Sequence, residues 1–536
     1  MKKYMNWIIA ICISLSLLLT GCGLSGFDLG AYVEQAMVVP FDEMEYSRPE
    51  LEDFWQQIQS VEDGLEKNLR TEALMDRIFK VYDSYYDFYT NYFLADIRYC
   101  LDITDIYWEQ EYNYCMSQTA QVDAAIDQML YTLADCPLKE ELEHPDYFGA
   151  DFFDSYEGDS IWDETFTALM EQENALISQY YDLNAQAAET EPYSDAFFEK
   201  YGAKMGDLFV ELVALRQEIA TYVGYESYIE FANDFYYYRD YTPDQAEAYL
   251  EEIREKLVPL YREMDLNVIW GISGKPSSEQ ETLDYVKTCA LAMGGTVENA
   301  FRLMEKGKLY DISYNQNKYN ASFQVYLYKY AQPFVFVNPS GTVYDQLTFA
   351  HEFGHFCNDY ASGGSAAGID VKEAFSQGME YLSLCYVPDA EDMEKLKMAS
   401  CLSTYVEQSM YACFEQQVYQ LEKEELTAEN VYNLYEQIGL SYGFDTWGWD
   451  SRDFVVVPHF FTNPMYIISY VVSNDAALQL YQREKANAGT GLKLLQDNLT
   501  TEEVYFLAFL DAAGLDSPFA TGRLDGVRDT LEQILN

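Results

Sequence analysis

The stretch TFAHEFGHF, residues 348–356, contains a His-Glu-x-x-His pattern in a chain that has only four histidines. On a helix, residues four apart lie on the same face, so His351 and His355 can bind one metal ion together. Glu352 is rotated about 100° from His351, which places its carboxylate beside the metal and within reach of a bound water. The spacing therefore predicts a zinc site with an adjacent general base.

The residues around this pattern indicate how the helix is placed. A segment rich in Phe, Val and Tyr, residues 319–342, runs directly into it and predicts a small β-sheet with a strand at 334–338. Apolar residues flank the two histidines, so we expect the helix to be buried. Gly354 is costly inside a helix, and its presence suggests that another element packs closely there.

A catalytic zinc ion needs a third protein ligand and an open position for water. No third histidine follows nearby, which argues against the pattern H-E-x-x-H-x-x-G-x-x-H. Glu373 and Glu380 lie seven residues apart on one face of a predicted second helix, VKEAFSQGMEYLSL. Glutamates more often lie on a solvated helix face, but the neighbouring residues are apolar, so Glu373 is the favoured third ligand.

A further histidine stands close to two tyrosines. His459 follows a Val-Val-Val-Pro run, and Tyr466 and Tyr470 are four apart on a predicted helix. Imidazole and phenol groups are suitable donors to an oxyanion that develops during catalysis. A buried histidine near tyrosines is by itself more often structural. Because His459 would bring three of the four histidines into one catalytic scheme, we favour the functional interpretation.

Composition limits the class of protein. The 536 residues are 49% hydrophobic and 16% aromatic, which is typical of a folded chain with a large core. Lys and Arg total 33 against 90 Asp and Glu, which gives a formal net charge of −57. Such a surface repels phosphate backbones, so we expect no nucleic-acid partner.

The N-terminus has the parts of a secretory signal. Two lysines precede a short apolar run, and Leu-Thr-Gly-Cys ends at Cys22. The run is short for a membrane span, and the final pattern resembles the bacterial lipobox, in which the cysteine is lipidated. We predict a signal peptide at 1–21 and an extracytoplasmic protein held at the cell membrane only by a lipid on Cys22. An ordinary signal peptide or an uncleaved anchor is the alternative.

The remaining chain divides into three predicted parts. Residues 22–45 lack periodicity and are expected to form a lipidated tether. An N-terminal helical region follows at 46–194, and the catalytic region is expected at 195–536. Thr242 followed by Pro243 is a good helix start, with a capping hydroxyl and a proline in the first turn.

An aromatic stripe stands out in the N-terminal region. Its members fall at helical spacing and are Tyr82, Tyr85, Tyr86, Tyr89 and Phe93. Such a stripe could line a peptide groove, but core packing is the more common use of aromatic side chains. We therefore expect one face of a buried helix.

The predicted strand before the zinc helix could hold a substrate. An exposed strand edge binds an extended peptide through backbone hydrogen bonds, with little demand on the peptide's sequence. The residues assigned to this role are Phe334, Val335, Phe336, Val337 and Asn338.

Three separated motifs together resemble one known family. They are TFAHEFGHF, the E-A-x-S-Q-x-x-E pattern of EAFSQGME, and the P-H-F…P-x-Y…Y pattern of PHFFTNPMYIISY. Along with the strand-into-helix segment FVFVNPSGTVYDQLTFAHE, they resemble the thimet oligopeptidase and oligoendopeptidase F family of zinc metallopeptidases. The resemblance covers about residues 195–530, whereas 46–190 shows no matching motif.

The resemblance implies a mainly α fold, a large helical ellipsoid with a deep central channel and one small β-sheet next to the zinc-binding helix. It implies a zinc-dependent endopeptidase that hydrolyses short oligopeptides, and we expect a monomer. The matching positions are His351, His355 and Glu373 for one Zn²⁺ ion, Glu352 for the general base, and His459 with Tyr466 or Tyr470 for binding the tetrahedral intermediate.

Two other functions compete with this one. The chain could be an anchored peptide-binding lipoprotein whose zinc site is vestigial or structural. The intact Glu352 argues against that, since a structural site needs no general base and usually closes its fourth position. A zinc enzyme that acts on intact proteins is the other alternative.

Overall fold

The computed structural model describes residues 38–535, except for 157, 159, 188–189, 191–193, 389 and 445–449. The predicted signal peptide, Cys22 and most of the tether lie outside these residues, so the lipid anchor and the location stay predictions. Within the described part of the chain, no helix is both long enough and apolar enough to cross a membrane.

The last residues of the predicted tether are folded onto the body of the protein. The Val39 N–H donates to Gln332 Oε1 at 2.8 Å, and the rings of Phe41 and Phe334 pack with centroids 4.1 Å apart. Met44 is buried. Val39 and Phe41 bind residues almost 300 positions later in the sequence. A local pattern therefore could not indicate that this segment is folded.

The chain is mainly helical, as predicted. Its first helices are α1 (Glu52–Glu66), α2 (Thr71–Leu101), α3 (Ile106–Ala134), α4 (Lys139–Leu142), α5 (Glu164–Ala187), α6 (Asp195–Phe197), α7 (Ala203–Tyr222) and α8 (Tyr228–Phe235). They are followed by α9 (Pro243–Lys256), α10 (Val258–Glu263), α11 (Leu266–Ser273), α12 (Glu279–Met293) and α13 (Gly295–Gly307).

The second half carries the predicted site. Its helices are α14 (Tyr344–Ser362), α15 (Ile369–Tyr386), α16 (Glu391–Ser403), α17 (Ser409–Val418), α18 (Ala428–Ser441), α19 (Pro458–Thr462), α20 (Ile468–Ala486), α21 (Thr490–Asn498), α22 (Phe506–Ala513) and α23 (Arg523–Leu535). Short 3-10 helices lie at Phe41–Glu43, Phe152–Tyr156, Tyr328–Tyr330 and Ser451–Val456, and π-helical turns at Phe198–Gly202 and Thr404–Gln408.

The aromatic stripe lies on α2 and belongs to the core, as expected. Tyr82, Tyr85, Tyr89 and Phe93 are all buried. Buried phenols need hydrogen-bond partners, and Asp123 of α3 accepts from the Tyr89 hydroxyl at 2.7 Å. The stripe therefore joins two helices of the N-terminal region.

The predicted start of α9 is also confirmed. The Thr242 hydroxyl accepts from the Gln245 N–H at 3.2 Å, and the Gln245 side chain accepts from the Thr242 N–H at 2.9 Å. This reciprocal pair satisfies two N–H groups that the first helical turn would otherwise leave open. Pro243 occupies the first helical position, where no donor is needed.

The small predicted sheet has three strands: β1 (Tyr310–Asp311), β2 (Phe323–Leu327) and β3 (Gln332–Phe336). Their order is β1-β3-β2, with β3 parallel to β1 and antiparallel to β2. α14 packs against both β2 and β3. The sheet therefore lies next to the helix that carries the His-Glu-x-x-His pattern.

This strand order contradicts the role expected for residues 334–338. β3 is the central strand, so its backbone is already paired with β2 on one side, while Leu309 O and Asp311 O accept from the N–H groups of Val335 and Val337 on the other. No free edge is left there for a peptide. The assigned residues Phe334, Val335, Phe336 and Val337 are fully buried, and Asn338 follows the end of the strand.

α15 packs against α14 on one side and α20 on the other. Gly354 of α14 marks the point of closest approach. A Cβ at this position would lie 2.5 Å from Ser376 Cα and 2.8 Å from the Phe375 carbonyl oxygen, both on α15. The glycine therefore allows the two ligand-bearing helices to touch, as its position in the sequence suggests.

We expect Gly354→Ala to destabilise the protein by about 1–3 kcal/mol, because α14 and α15 would have to separate to admit the methyl group. Gly526→Ala is the matched control. Gly526 lies inside α23 with nothing within 4 Å of its Cβ position, so the higher helix propensity of alanine should stabilise it by about 0.5–1 kcal/mol. Thermal and urea unfolding would measure both. Equal effects at the two positions would contradict the close-contact explanation.

Candidate metal centre

The structure brings the three predicted ligands together. His351 and His355 lie one turn apart on α14, and Glu373 reaches them from α15. One ligand atom from each lies within 4.8 Å of the others, and all three residues are buried. His351 Nε2 is 3.3 Å from Glu373 Oε2, and His355 Nε2 is 3.6 Å from Glu373 Oε1. Two imidazoles and one carboxylate are a donor set that catalytic zinc uses.

The chemistry of these donors fits a cation. Among the described residues, none forms a hydrogen bond to the buried His355 Nε2, and an unsatisfied buried nitrogen is costly unless something binds it. Burial alone would raise the pKa of the Glu373 carboxyl. The adjacent His355 and His351 nevertheless hold that pKa well below its usual range. Positive charge on the side of the two imidazoles thus stabilises the ionised form of Glu373, and a cation bound there would act in the same direction.

Glu380, the other glutamate weighed as a ligand, contacts the opposite nitrogen of the same imidazole. Its Oε1 is 2.9 Å from His351 Nδ1, whereas Nε2 faces Glu373. A carboxylate at this place fixes the orientation of a metal-binding histidine. The seven-residue spacing predicts that the two glutamates share one helix face, but it cannot say that both contact His351 or which ring nitrogen each one contacts.

Glu373 is also held from two other directions. The Ser376 hydroxyl donates to its Oε2 at 2.9 Å, and the Tyr466 hydroxyl donates to its Oε1. Ser376 lies one turn along α15 and Tyr466 lies just before α20. The ligand carboxylate is thereby fixed in position by neighbours on both sides.

Glu352 directly follows His351 on α14 and is completely buried. The position fits the general base predicted from the sequence.

His459 and the two tyrosines form a compact cluster. His459 Nε2 lies 3.2 Å from the Tyr470 hydroxyl, and the His459 and Tyr466 rings are 5.2 Å apart between centroids. Burial lowers the pKa of His459 to about 4, despite the opposing effect of Glu373. The imidazole is therefore neutral at pH 7. Since the Tyr466 hydroxyl is engaged by Glu373, Tyr470 is the tyrosine that pairs with His459.

The turn before Tyr466 has an unusual backbone. Met465 adopts a positive φ of 66°, a conformation that costs free energy for a residue with a side chain. Glu415 of α17 accepts from its N–H at 2.9 Å, and Arg239 donates to its carbonyl at 2.8 Å. Both side chains come from distant parts of the chain, and no local pattern in the sequence signals their role.

One family model matches part of the chain. Residues 41–160 match the family model described as the Peptidase M3 N-terminal domain, in the region where the sequence itself shows no motif. No curated protein matches the chain.

Solved structures share the fold along almost the whole chain. A protein assigned as an oligoendopeptidase F matches with a TM-score of 0.81 at 19% identity, covering 93% of this chain and 98% of its own. PZ peptidase A, solved with an inhibitor, matches with a TM-score of 0.81 at 20% identity over 92% and 99%. A protein from Bacillus anthracis str. Ames, also assigned as an oligoendopeptidase F, matches with a TM-score of 0.75 at 20% identity over 94% and 98%.

These likenesses show the fold: it is that of the solved structures assigned as oligoendopeptidase F, and residues 41–160 also match the model of the Peptidase M3 N-terminal domain. The resemblance to the M3 and oligoendopeptidase F peptidases, predicted from three motifs in residues 348–470, is confirmed.

Proposed function

We propose that this chain is a zinc-dependent metalloendopeptidase that hydrolyses peptide bonds in short oligopeptides. The observation that carries the proposal is the buried cluster of His351, His355 and Glu373, with Glu352 next to it on the same helix. His459 and Tyr470 form a hydrogen-bonded pair near this cluster. Hydrolysis of a peptide bond needs such a group, in addition to the metal, to stabilise the oxyanion.

Zinc bound by the three ligands would acidify a water molecule and polarise the scissile carbonyl. Glu352 accepts the proton of the attacking water and passes it to the leaving amine. Tyr470 donates a hydrogen bond to the carbonyl oxygen as it gains negative charge, and His459 orients the Tyr470 hydroxyl through Nε2. Tyr466 has the different task of holding Glu373, so the structure favours Tyr470 as the donor to the oxyanion.

Burial favours short substrates. Glu352 and Glu373 are 0% exposed and His351 is 1% exposed, so the scissile bond has to reach groups deep inside the protein. A short, extended peptide can do this, whereas a folded protein cannot without unfolding.

Backbone pairing with a substrate is better placed on β2 than on β3. β2 lies at the edge of the sheet, opposite β1. Its five residues are as buried as those of β3, and α2 packs against it, so a peptide would bind there only if α2 moved aside. Its Gln324 side chain donates to Asp359 Oδ2 at 2.9 Å, one turn beyond His355 on α14. An extended peptide added to this edge would run beside the metal-binding part of the helix.

A length series of peptides tests the function. The wild-type protein should contain one zinc per chain and cleave short peptides, with cleavage falling as the peptides lengthen and absent for a folded protein. Removal of zinc by a chelator should abolish cleavage, and added zinc should restore it.

The same experiment separates the alternatives. Zinc binding and peptide binding without cleavage would favour an anchored peptide-binding lipoprotein. Cleavage of intact folded proteins would favour the broader protease. The N-terminal pattern supports a place at the outer face of a bacterial membrane, which fractionation of wild-type and Cys22→Ala cells would test.

A further inference from the structure

A buried lysine stands behind the metal site. Lys397 of α16 is 2% exposed, and its Nζ lies 2.8 Å from Glu380 Oε2. Glu380 in turn contacts His351 Nδ1 through its other oxygen, at 2.9 Å. A continuous chain of polar contacts therefore runs from α16 through α15 to α14, and it ends on a metal ligand.

The two oxygens of Glu380 divide their contacts between these neighbours. A carboxylate with only one partner could rotate or move away from His351, whereas one fixed at both oxygens is held in a single orientation. The Lys397 ammonium is itself fixed, since it lies 4.3 Å from the centroid of the Tyr381 ring. Tyr381 is anchored by a hydrogen bond to Asn474 Oδ1 at 2.8 Å.

Lys397 also contributes to the charge balance of the site. Glu352, Glu373 and Glu380 place three carboxyl groups in one buried region. A divalent cation at the histidines and the ammonium group of Lys397 would together balance three carboxylates. Burying an uncompensated charge is strongly unfavourable, so the lysine would offset the one carboxylate that a divalent cation leaves unbalanced.

We propose that Lys397 is a positioning residue for the metal site, which acts through Glu380 to orient His351 and thereby strengthens zinc binding. The inference rests on one part of the proposed function, namely that His351, His355 and Glu373 bind zinc. It assigns to α16 a part in the site that the three motifs do not contain.

The test measures zinc affinity by competition with a chelating indicator, independently of peptidase activity. Lys397→Met should bind zinc more weakly than the wild type by more than about twofold and by at most about 10- to 100-fold, the usual effect of losing the partner that contacts a metal ligand, which here is Glu380. In a Glu380→Gln background the same substitution should change affinity by about twofold or less, because a glutamine that accepts from His351 turns its amide NH2 group toward Lys397, and the contact between residues 380 and 397 is already broken.

Lys318→Met is the matched control. Lys318 is also buried and bonded to a carboxylate, with Nζ 2.6 Å from Asp311 Oδ1, but it lies in the loop before β2. Its loss should leave zinc affinity within about twofold of the wild type. Lys397→Gln carries the same expectation as Lys397→Met if the latter does not fold, and thermal melts with and without zinc show which variants are folded.

Zinc affinity of Lys397→Met and Lys397→Gln equal to that of the wild type would overturn the proposal. So would an undiminished loss in the Glu380→Gln background, since the effect would then not pass through Glu380. A wild-type protein that binds no zinc would instead refute the proposed function, and with it the metal site itself.

Discussion

Glu352→Gln should lose about 100- to 10,000-fold of its peptidase activity, the range that removal of a general base produces, while it keeps its zinc. Glutamine has nearly the same shape as glutamate and fills the same buried space on α14, but it cannot accept the proton of the attacking water. The ligands His351, His355 and Glu373 are unchanged. Turnover of a short fluorogenic peptide, with zinc content measured on the same sample, gives both quantities.

The control for this prediction is Glu407→Gln. Glu407 lies in the π-helical turn Thr404–Gln408 and is also buried. It accepts a hydrogen bond from the Tyr261 hydroxyl and touches none of the three ligands. It should therefore keep full turnover. Activity of Glu352→Gln close to that of the wild type would exclude the general-base role, and loss of its zinc would show that Glu352 supports the metal.

The parts of the site that the sequence predicts are those with a local periodicity. Helical geometry alone puts His351 and His355 on one face, and the cost of Gly354 inside a helix correctly indicates the close contact with α15. The aromatic stripe of α2 and the capped start of α9 are predictable for the same reason. Each depends on residues within one or two turns of one another.

The parts that the sequence could not predict depend on partners far along the chain. The residues of β3 look like any strand rich in Phe and Val, and only pairing with residues 310–311 makes it central. Arg239, Glu415 and Lys397 look like ordinary surface charges. Their burial is stabilised by partners that only the folded chain brings close. Arg239 and Glu415 bind the backbone of Met465, and Lys397 binds Glu380.

The site is divided between two pairs of helices. The metal ligands lie on α14 and α15, whereas His459 and Tyr470 belong to α19 and α20. The buried side chain of Gln377 joins the two groups, since its Nε2 donates to Ser473 Oγ at 2.8 Å and to the Tyr470 carbonyl at 3.1 Å. The motif EAFSQGME therefore supplies a ligand and also the link that keeps the donors in register with it.

Glu373→Ala should abolish measurable zinc binding and, with it, peptidase activity. Glu373 is the only one of the two glutamates whose oxygens face the Nε2 atoms of both histidines, at 3.3 and 3.6 Å. Two histidines alone leave the cation short of the three protein ligands that a catalytic zinc site needs. The loss of affinity should therefore exceed the roughly 10- to 100-fold that follows from removing a partner behind a ligand.

Glu380→Gln provides the comparison that makes this decisive, because it lies on the same helix and contacts the same imidazole. The glutamine side chain can still accept from His351 Nδ1, so zinc affinity should fall by at most about 10- to 100-fold. Both affinities come from the same chelator competition, and thermal melts without zinc show that each variant is folded. The reverse order, with Glu380→Gln losing more affinity than Glu373→Ala, would make Glu380 the third ligand and would require His351 to bind the metal through Nδ1.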